Sequence, residues 1–256
     1  MSKILSSKIL GNGKPLIILH GLFGMHQNWL FFGKEISKHF QTHLVDLRNH
    51  GDSFHHKDHN YNLMSKDIFN YLNFHGIKNV NIIGHSMGGK VAMFFATNYS
   101  EFVNKLVIVD ISPKYYHSEH QNIVNALIDL KKTNITSRIQ ADDRLKKFNI
   151  EIKIRQFLLK NLIRYNEQFK LKLNINSISK NIKYISSNLP NDQKFFKQTL
   201  FLKGANSDYI RKNDLELIKF HFPNSNIIEV KNSSHWIHFE NPSEFYFLVH
   251  SFLIKK

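Results

Sequence analysis

The segment Gly84-His85-Ser86-Met87-Gly88 sets a serine between two glycines, after the apolar run Val80–Gly84 and before a helical pattern, Lys90–Asn98. In that setting the G-x-S-x-G spacing predicts a sharp strand-to-helix turn that lifts the hydroxyl above the carboxyl edge of a sheet. Such a turn strains the serine backbone, and its glycines let neighbouring chain come close. It also puts the Met87 backbone N–H at a helix start, where it can donate to a developing oxyanion. A match this short also fits a tight turn carrying a surface serine. A second signal is His20-Gly21-Leu22-Phe23-Gly24, which closes another apolar run. It offers the other oxyanion amide, from Leu22 first and Phe23 second; without Ser86 it would read as a plain glycine-rich turn.

A serine hydroxyl needs a base within hydrogen-bond reach. Of 16 histidines, His235 stands in a polar loop, Lys231–Trp236, between the last apolar run and a terminal helix. His238 is the alternative, more simply read as a packing residue at a helix edge. The acid that orients the base is Asp110, at the end of the fourth apolar run, or Asp208, after the fifth. Asp208 falls one place beyond Gly204 plus three, where Ser207 stands, so Asp110 is favoured. The plain reading of Asp110 is a strand-end carboxylate capping a turn before Pro113. The stretch His50, His55, His56, Asp58, His59 invites a zinc reading, but its spacing matches no helical or hairpin ligand set, which leaves a solvated loop. No metal and no cofactor is expected.

These side chains need a scaffold. Short apolar runs at Pro15–Leu19, His43–Leu47, Val80–Gly84 and Lys105–Val109 alternate with helical patterns, in which Trp29, Phe32 and Ile36 share one face and Ile68 and Leu72 another. Runs apolar on both faces predict buried parallel strands and βαβ units. After Pro113 the pattern changes: residues 114–195 carry helical stretches at 123–130 and 154–159 and no clear strand. The α/β pattern resumes with Thr199–Leu202, a helix near 211–221, Asn226–Val230 and a terminal helix from Pro242 to about Leu253. The expectation is an α/β class, doubly wound, mostly parallel sheet of 1–113 and 196–256, interrupted after Asp110 by a helical insertion, 114–195.

Composition narrows the function classes. The 256 residues contain no cysteine, which excludes disulfides, thiolate metal sites and a thiol nucleophile. Neither a secretory apolar run near residue 1 nor a span of about 18–20 apolar residues is present. A cytoplasmic protein without stable membrane insertion is expected, as a monomer or homodimer. The excess of 35 Lys+Arg over 20 Asp+Glu, formally +15, would suit a polyanion. The lysines are scattered, however, and the abundance of Lys, Asn, Ile and Phe follows A/T-rich codons, so no nucleic-acid partner is expected. Most of the 22 Phe are read as core.

With these residues placed, the chain resembles the α/β-hydrolase superfamily and, more narrowly, the YbfF-type bacterial esterases. The resembling stretches are HGLFGMHQNW (20–29), DLRNHGDS (46–53), GHSMGGKVAM (84–93), KLVIVDISP (105–113), RQFLLKNL (155–162), LKGANSDYI (202–210) and SSHWIHFENP (233–242). The resemblance implies a Ser86–His235–Asp110 triad, with Ser207 where an acid would otherwise stand. It also implies Trp236 beside the substrate pocket and a cap formed by the insertion; Phe23 is a further candidate for substrate binding. The implied partner is a small-molecule ester or acyl thioester, hydrolysed through an acyl-enzyme without a cofactor. The insertion departs from the family pattern at 163–195, which leaves acyl length and leaving group open. A different reaction on the same constellation (a carrier-protein methyl-ester esterase in biotin synthesis, a C–C hydrolase or a lyase) and a non-catalytic binding module are the alternatives.

Overall fold

Strand β2 (Pro15–Leu19) sends Leu16 and Ile18 into one apolar cluster and Ile17 and Leu19 into another. This period-2 division repeats along β4 (Val80–His85) and β5 (Val103–Val109), so one sheet separates two cores. The computed structural model describes residues 3–117 and 120–255. Its main sheet has seven strands in the order β1 (Ser7–Leu10), β3 (Gln41–Val45), β2, β4, β5, β8 (Thr199–Gly204), β9 (Ser225–Val230). Only β1 runs antiparallel to its neighbour. On one face lie α2 (Tyr61–Phe74), α3 (Met87–Asn98) and α8 (Leu215–His221). The other face carries α1 (Leu30–Ile36) and α9 (Pro242–Ile254).

Between β5 and β8 the chain forms α4 (Gln121–Lys132), α5 (Arg138–Lys146), α6 (Ile152–Leu159) and α7 (Ile175–Asn181). Leu127, Leu145, Leu158 and Ile178 build an apolar cluster there, and Phe23 of the sheet domain enters it. The absence of strands expected over 114–195 is corrected: β6 (Leu162–Tyr165) and β7 (Gln168–Leu171) pair as an antiparallel hairpin, turned at Asn166 with φ 54°. Their residues are largely exposed, so they lack the apolar run that marks a buried strand. Strand β1 was missed for the same reason. Asp46 and Leu47, expected inside a strand, lie just beyond β3.

The insertion docks through polar contacts. Asn174 N–H donates to Asn49 O at 3.0 Å, Ser177 Oγ to Lys57 O at 2.9 Å, and Lys172 pairs with Asp52 at 2.5 Å. Lys90, buried in the first turn of α3, adds a strut. Its ammonium donates to the carbonyls of Pro113 at 3.1 Å, Lys114 at 2.5 Å and Ser187 at 2.8 Å. It therefore ties α3 both to the point where the chain leaves the sheet and to the returning segment. Burial, with Lys114 nearby, pushes the Lys90 ammonium down to about 7.

The solvated loop expected around the clustered histidines is also corrected. His55 and His56 are exposed, but His50 and His59 are fully buried, their rings 5.5 Å apart. His50 Nδ1–H donates to Arg48 O at 3.0 Å, and its Nε2 accepts the Phe23 amide at 3.2 Å. Arg48 makes a two-pronged pair with Asp67 at 2.6 and 2.8 Å.

Candidate active site

Ser86 sits at the carboxyl end of β4 with φ 53° and ψ −119°, a conformation that a non-glycine residue adopts only at a cost of about 1–3 kcal/mol. The surroundings hold it there. Its N–H donates to Val109 O of β5 at 3.1 Å, and its carbonyl accepts from Lys90 N at 3.0 Å as α3 begins. Both flanking glycines are required by close approach. A Cβ on Gly88 would lie 2.4 Å from Leu19 O, and one on Gly84 would lie 2.4 Å from Gly88 O.

His235 lies in the loop after β9, and its Nδ1–H donates to Asp110 Oδ2 at 2.8 Å. Asp110 ends β5 fully buried, with φ 49°, a left-handed conformation that Asp tolerates better than most residues. Its Oδ1 accepts Gly204 N–H at 3.0 Å, and its Oδ2 also accepts the Ser207 hydroxyl. Asp208 is placed apart: its side chain is 89% exposed and pairs loosely with Arg211 at 3.6 Å.

Several groups brace the imidazole. The Tyr209 ring stacks on that of His235 at 3.7 Å, inclined by 13°. Tyr116 OH donates to Tyr209 O at 2.6 Å and accepts from Ser112 N at 2.8 Å. On the other side His85, the residue before Ser86, donates from Nε2 to His235 O at 2.8 Å. This bond joins the histidine loop to the serine turn, and burial holds His85 neutral, well below the usual histidine range.

A cavity of about 330 Å³ opens beside Ser86 and His235, walled by Leu22, Phe23, Trp29, Phe157 and Trp236 among others. His238 lies in the same wall, stacked on Trp29 at 4.0 Å, and burial pushes its imidazole down to about 3. It packs; Asp110 meets His235. Trp236 lies 6.0 Å, ring to ring, from Phe157 of the insertion. A smaller cavity of about 40 Å³ lies across Ser86, bordered by Met87 and Leu22.

The two candidate amides of the 20–24 turn are not equivalent. Phe23 N–H is already committed to His50 Nε2, and Phe23 O accepts from Asn161 Nδ2 of the insertion at 2.8 Å. With φ 61°, the Phe23 backbone is held on both its N–H and its carbonyl, whereas no such partner engages the other candidate amide, Leu22 N–H, among the described residues.

Sequence reasoning missed Tyr209, His85, Asn161 and His50. Asn161 and Tyr209 stand inside stretches that carried the family resemblance, but nothing in their spacing announces what they touch. One His/Asp group among the described residues, His26, Asp46 and Asp52, brings its ligand atoms within 4.8 Å of one another. Its atoms are already engaged: His26 N and Nδ1 and Asp52 N donate to Asp46, and the Lys172 ammonium lies on Asp52. That donor set reads as a loop-bracing ion pair, with the Asp46 carboxylate raising His26.

The sheet order, with a strained serine at a strand-to-helix turn and a histidine–aspartate pair beside it, is that of a hydrolase scaffold. The chain belongs to the α/β-hydrolase fold family, whose model matches residues 14–242. It is 36% identical to a putative esterase/lipase of Haemophilus influenzae, over 90% of this chain and 80% of that protein. It is likewise 36% identical to the sn-1-specific diacylglycerol lipase ABHD11 of Danio rerio, over 95% of this chain and 79% of that one. A solved marine microorganism esterase superposes with a TM-score of 0.93 at 37% identity, covering 98% of this chain and all of the other. The protein is an ester-bond hydrolase of the esterase/lipase kind.

Proposed function

We propose that the protein cleaves small carboxylic esters and acyl thioesters through an acyl-enzyme on Ser86. The observation that carries this reading is the 2.8 Å contact of His235 Nδ1 with buried Asp110, at the wall of the cavity that Ser86 faces. His235 takes the Ser86 proton as Oγ attacks the acyl carbonyl, and Asp110 stabilises the imidazolium that forms. Met87 and Leu22 N–H groups receive the oxyanion; losing one such donor raises the barrier by about 2.7–4 kcal/mol. The stacked Tyr209 ring adds cation–π attraction to the imidazolium, worth about 0.5–2 kcal/mol. The same proton then passes to the leaving oxygen or sulfur, and water repeats the cycle to release the acid. Trp236 and Phe23 line the substrate space. The acid at Asp110, with Ser207 at the later position, supports kinship with the YbfF-type esterases.

A fluorophosphonate probe tests the reading. It should label the protein, and the label should vanish in Ser86→Ala; an unlabelled protein would support the binding-module alternative instead. A panel of esters, thioesters, carrier-protein methyl esters and β-diketones then separates hydrolysis at an ester from the alternative reactions. Among the described residues no helix is long and apolar enough to cross a membrane.

A further inference from the structure

Ser86 is shared by two cavities of unequal size, and the catalytic groups divide between them. His235 borders only the larger, of about 330 Å³; Met87 borders only the smaller, of about 40 Å³. This division orients the tetrahedral intermediate. Its leaving atom must lie within hydrogen-bond reach of the His235 ring, because that ring delivers the proton released by Ser86 Oγ. The leaving group therefore extends into the larger cavity. The oxyanion turns toward the Met87 and Leu22 amides, and the remaining substituent, the acyl tail, is directed into the smaller cavity. Ile111, Ile182, Ile185 and the rings of Tyr61 and Tyr116 line that space. That space is about an eighth of the larger one, which suits a short tail.

We infer that the enzyme is selective for short acyl groups, of two to four carbons, carried on bulky apolar alcohols or thiols. The large cavity is an alcohol site, walled by Ile154, Phe157, Leu158 and Trp236, and the residues at 182 and 185 set acyl length. This rests on the catalytic roles proposed for Ser86 and His235. The balance is that of ordinary acyl transfer: the acyl–oxygen bond breaks, the alcohol leaves with the serine proton, and water restores the serine while the short acid departs.

The test is a series of naphthyl esters from acetate to octanoate, with kcat/KM measured for the wild type, Ile182→Ala, Ile185→Ala and Phe157→Ala. In the wild type kcat/KM should fall beyond butyrate by about tenfold or more, the cost of a methylene that finds no space. Either isoleucine variant should raise the octanoate-to-acetate ratio. Phe157→Ala should instead change the preference among acetates of small and large alcohols. A wild type that prefers octanoate, or an acyl-length preference that follows Phe157 and neither isoleucine, overturns the assignment. Fluorophosphonate labelling of Ser86, run in parallel, keeps the two levels apart. Labelling with the reversed preference sinks only the acyl assignment, whereas no labelling and no ester turnover sink the hydrolase reading with it.

Discussion

Mild acid should destabilise this protein steeply. His20, His43, His50, His59 and His85 are all buried, at 4% exposure or less. Desolvation is the largest cause holding each imidazole below its ordinary value: His43 to about 4, His59 to about 3, His50 and His85 well below, and His20 lowered. In the unfolded chain each ring takes a proton below about pH 6.5. The stability they share is therefore complete above pH 6.5 and is lost as pH falls toward the folded values. At pH 5.5 the unfolded state gains about 1.4 kcal/mol for each ring held well below that pH, so His43, His50, His59 and His85 together give about 6 kcal/mol, with His20 acting in the same direction. A typical domain has only about 5–15 kcal/mol in total. His26, raised by Asp46, works in the opposite sense, but it is one ring against the four held well below their ordinary value. Urea unfolding followed by tryptophan fluorescence at constant ionic strength, at pH 7.5 and 5.5, measures the difference. His59→Gln should reduce the protons taken up on unfolding by one, whatever it does to absolute stability. A change below about 1 kcal/mol between the two pH values would refute the reasoning, since four rings each linked by about 1.4 kcal/mol could not hide there.

The active site yields sharper substitutions. Asp110→Asn should lower kcat by about 10⁴, as loss of the orienting carboxylate does in serine hydrolases generally, because the His235 tautomer is no longer held. Asp208→Asn, at an exposed position, should leave kcat within about twofold; steady-state kinetics on one activated ester compares the two. Asn161→Ala strips the Phe23 carbonyl of its insertion partner, a buried loss of about 1–3 kcal/mol. It should lower kcat more than it raises KM, because the Leu22 amide drifts from the oxyanion; a change confined to KM would disprove that role. Gly88→Ala forces a Cβ to within 2.4 Å of Leu19 O and should abolish soluble, folded protein, read by circular dichroism and gel filtration.

Much of this architecture was legible in the residues. Leu16–Leu19, Ile82–Ile83 and Leu106–Val109 are apolar without interruption because both faces of a central parallel strand are buried, and such runs announce themselves. Ser86 and Asp110 could be singled out because each follows one of those runs, and His235 because it follows the last strand pattern, Asn226–Val230. Edge and surface strands give no such signal: Lys8 and Ile9 of β1 and Arg164 of β6 face solvent, so their order comes from pairing rather than burial. The braces were hidden for another reason. Ser207 meets Asp110 across 97 residues, Asn161 meets Phe23 across 138, and His85 meets the His235 loop across 150. Those contacts exist only once the sheet has brought distant loops to one edge. Buried histidines mislead in the same way, since His50 and His59 read as polar until their partners are in place.

The Phe23 backbone, its N–H taken by His50 and its carbonyl by Asn161, limits how such an enzyme can be re-engineered. A chimaera that exchanged residues 114–195 for those of another hydrolase would change the walls around the substrate and also remove one of the two hands on that residue. Grafted specificity would then arrive with slackened catalysis unless an amide donor equivalent to Asn161 travelled with it.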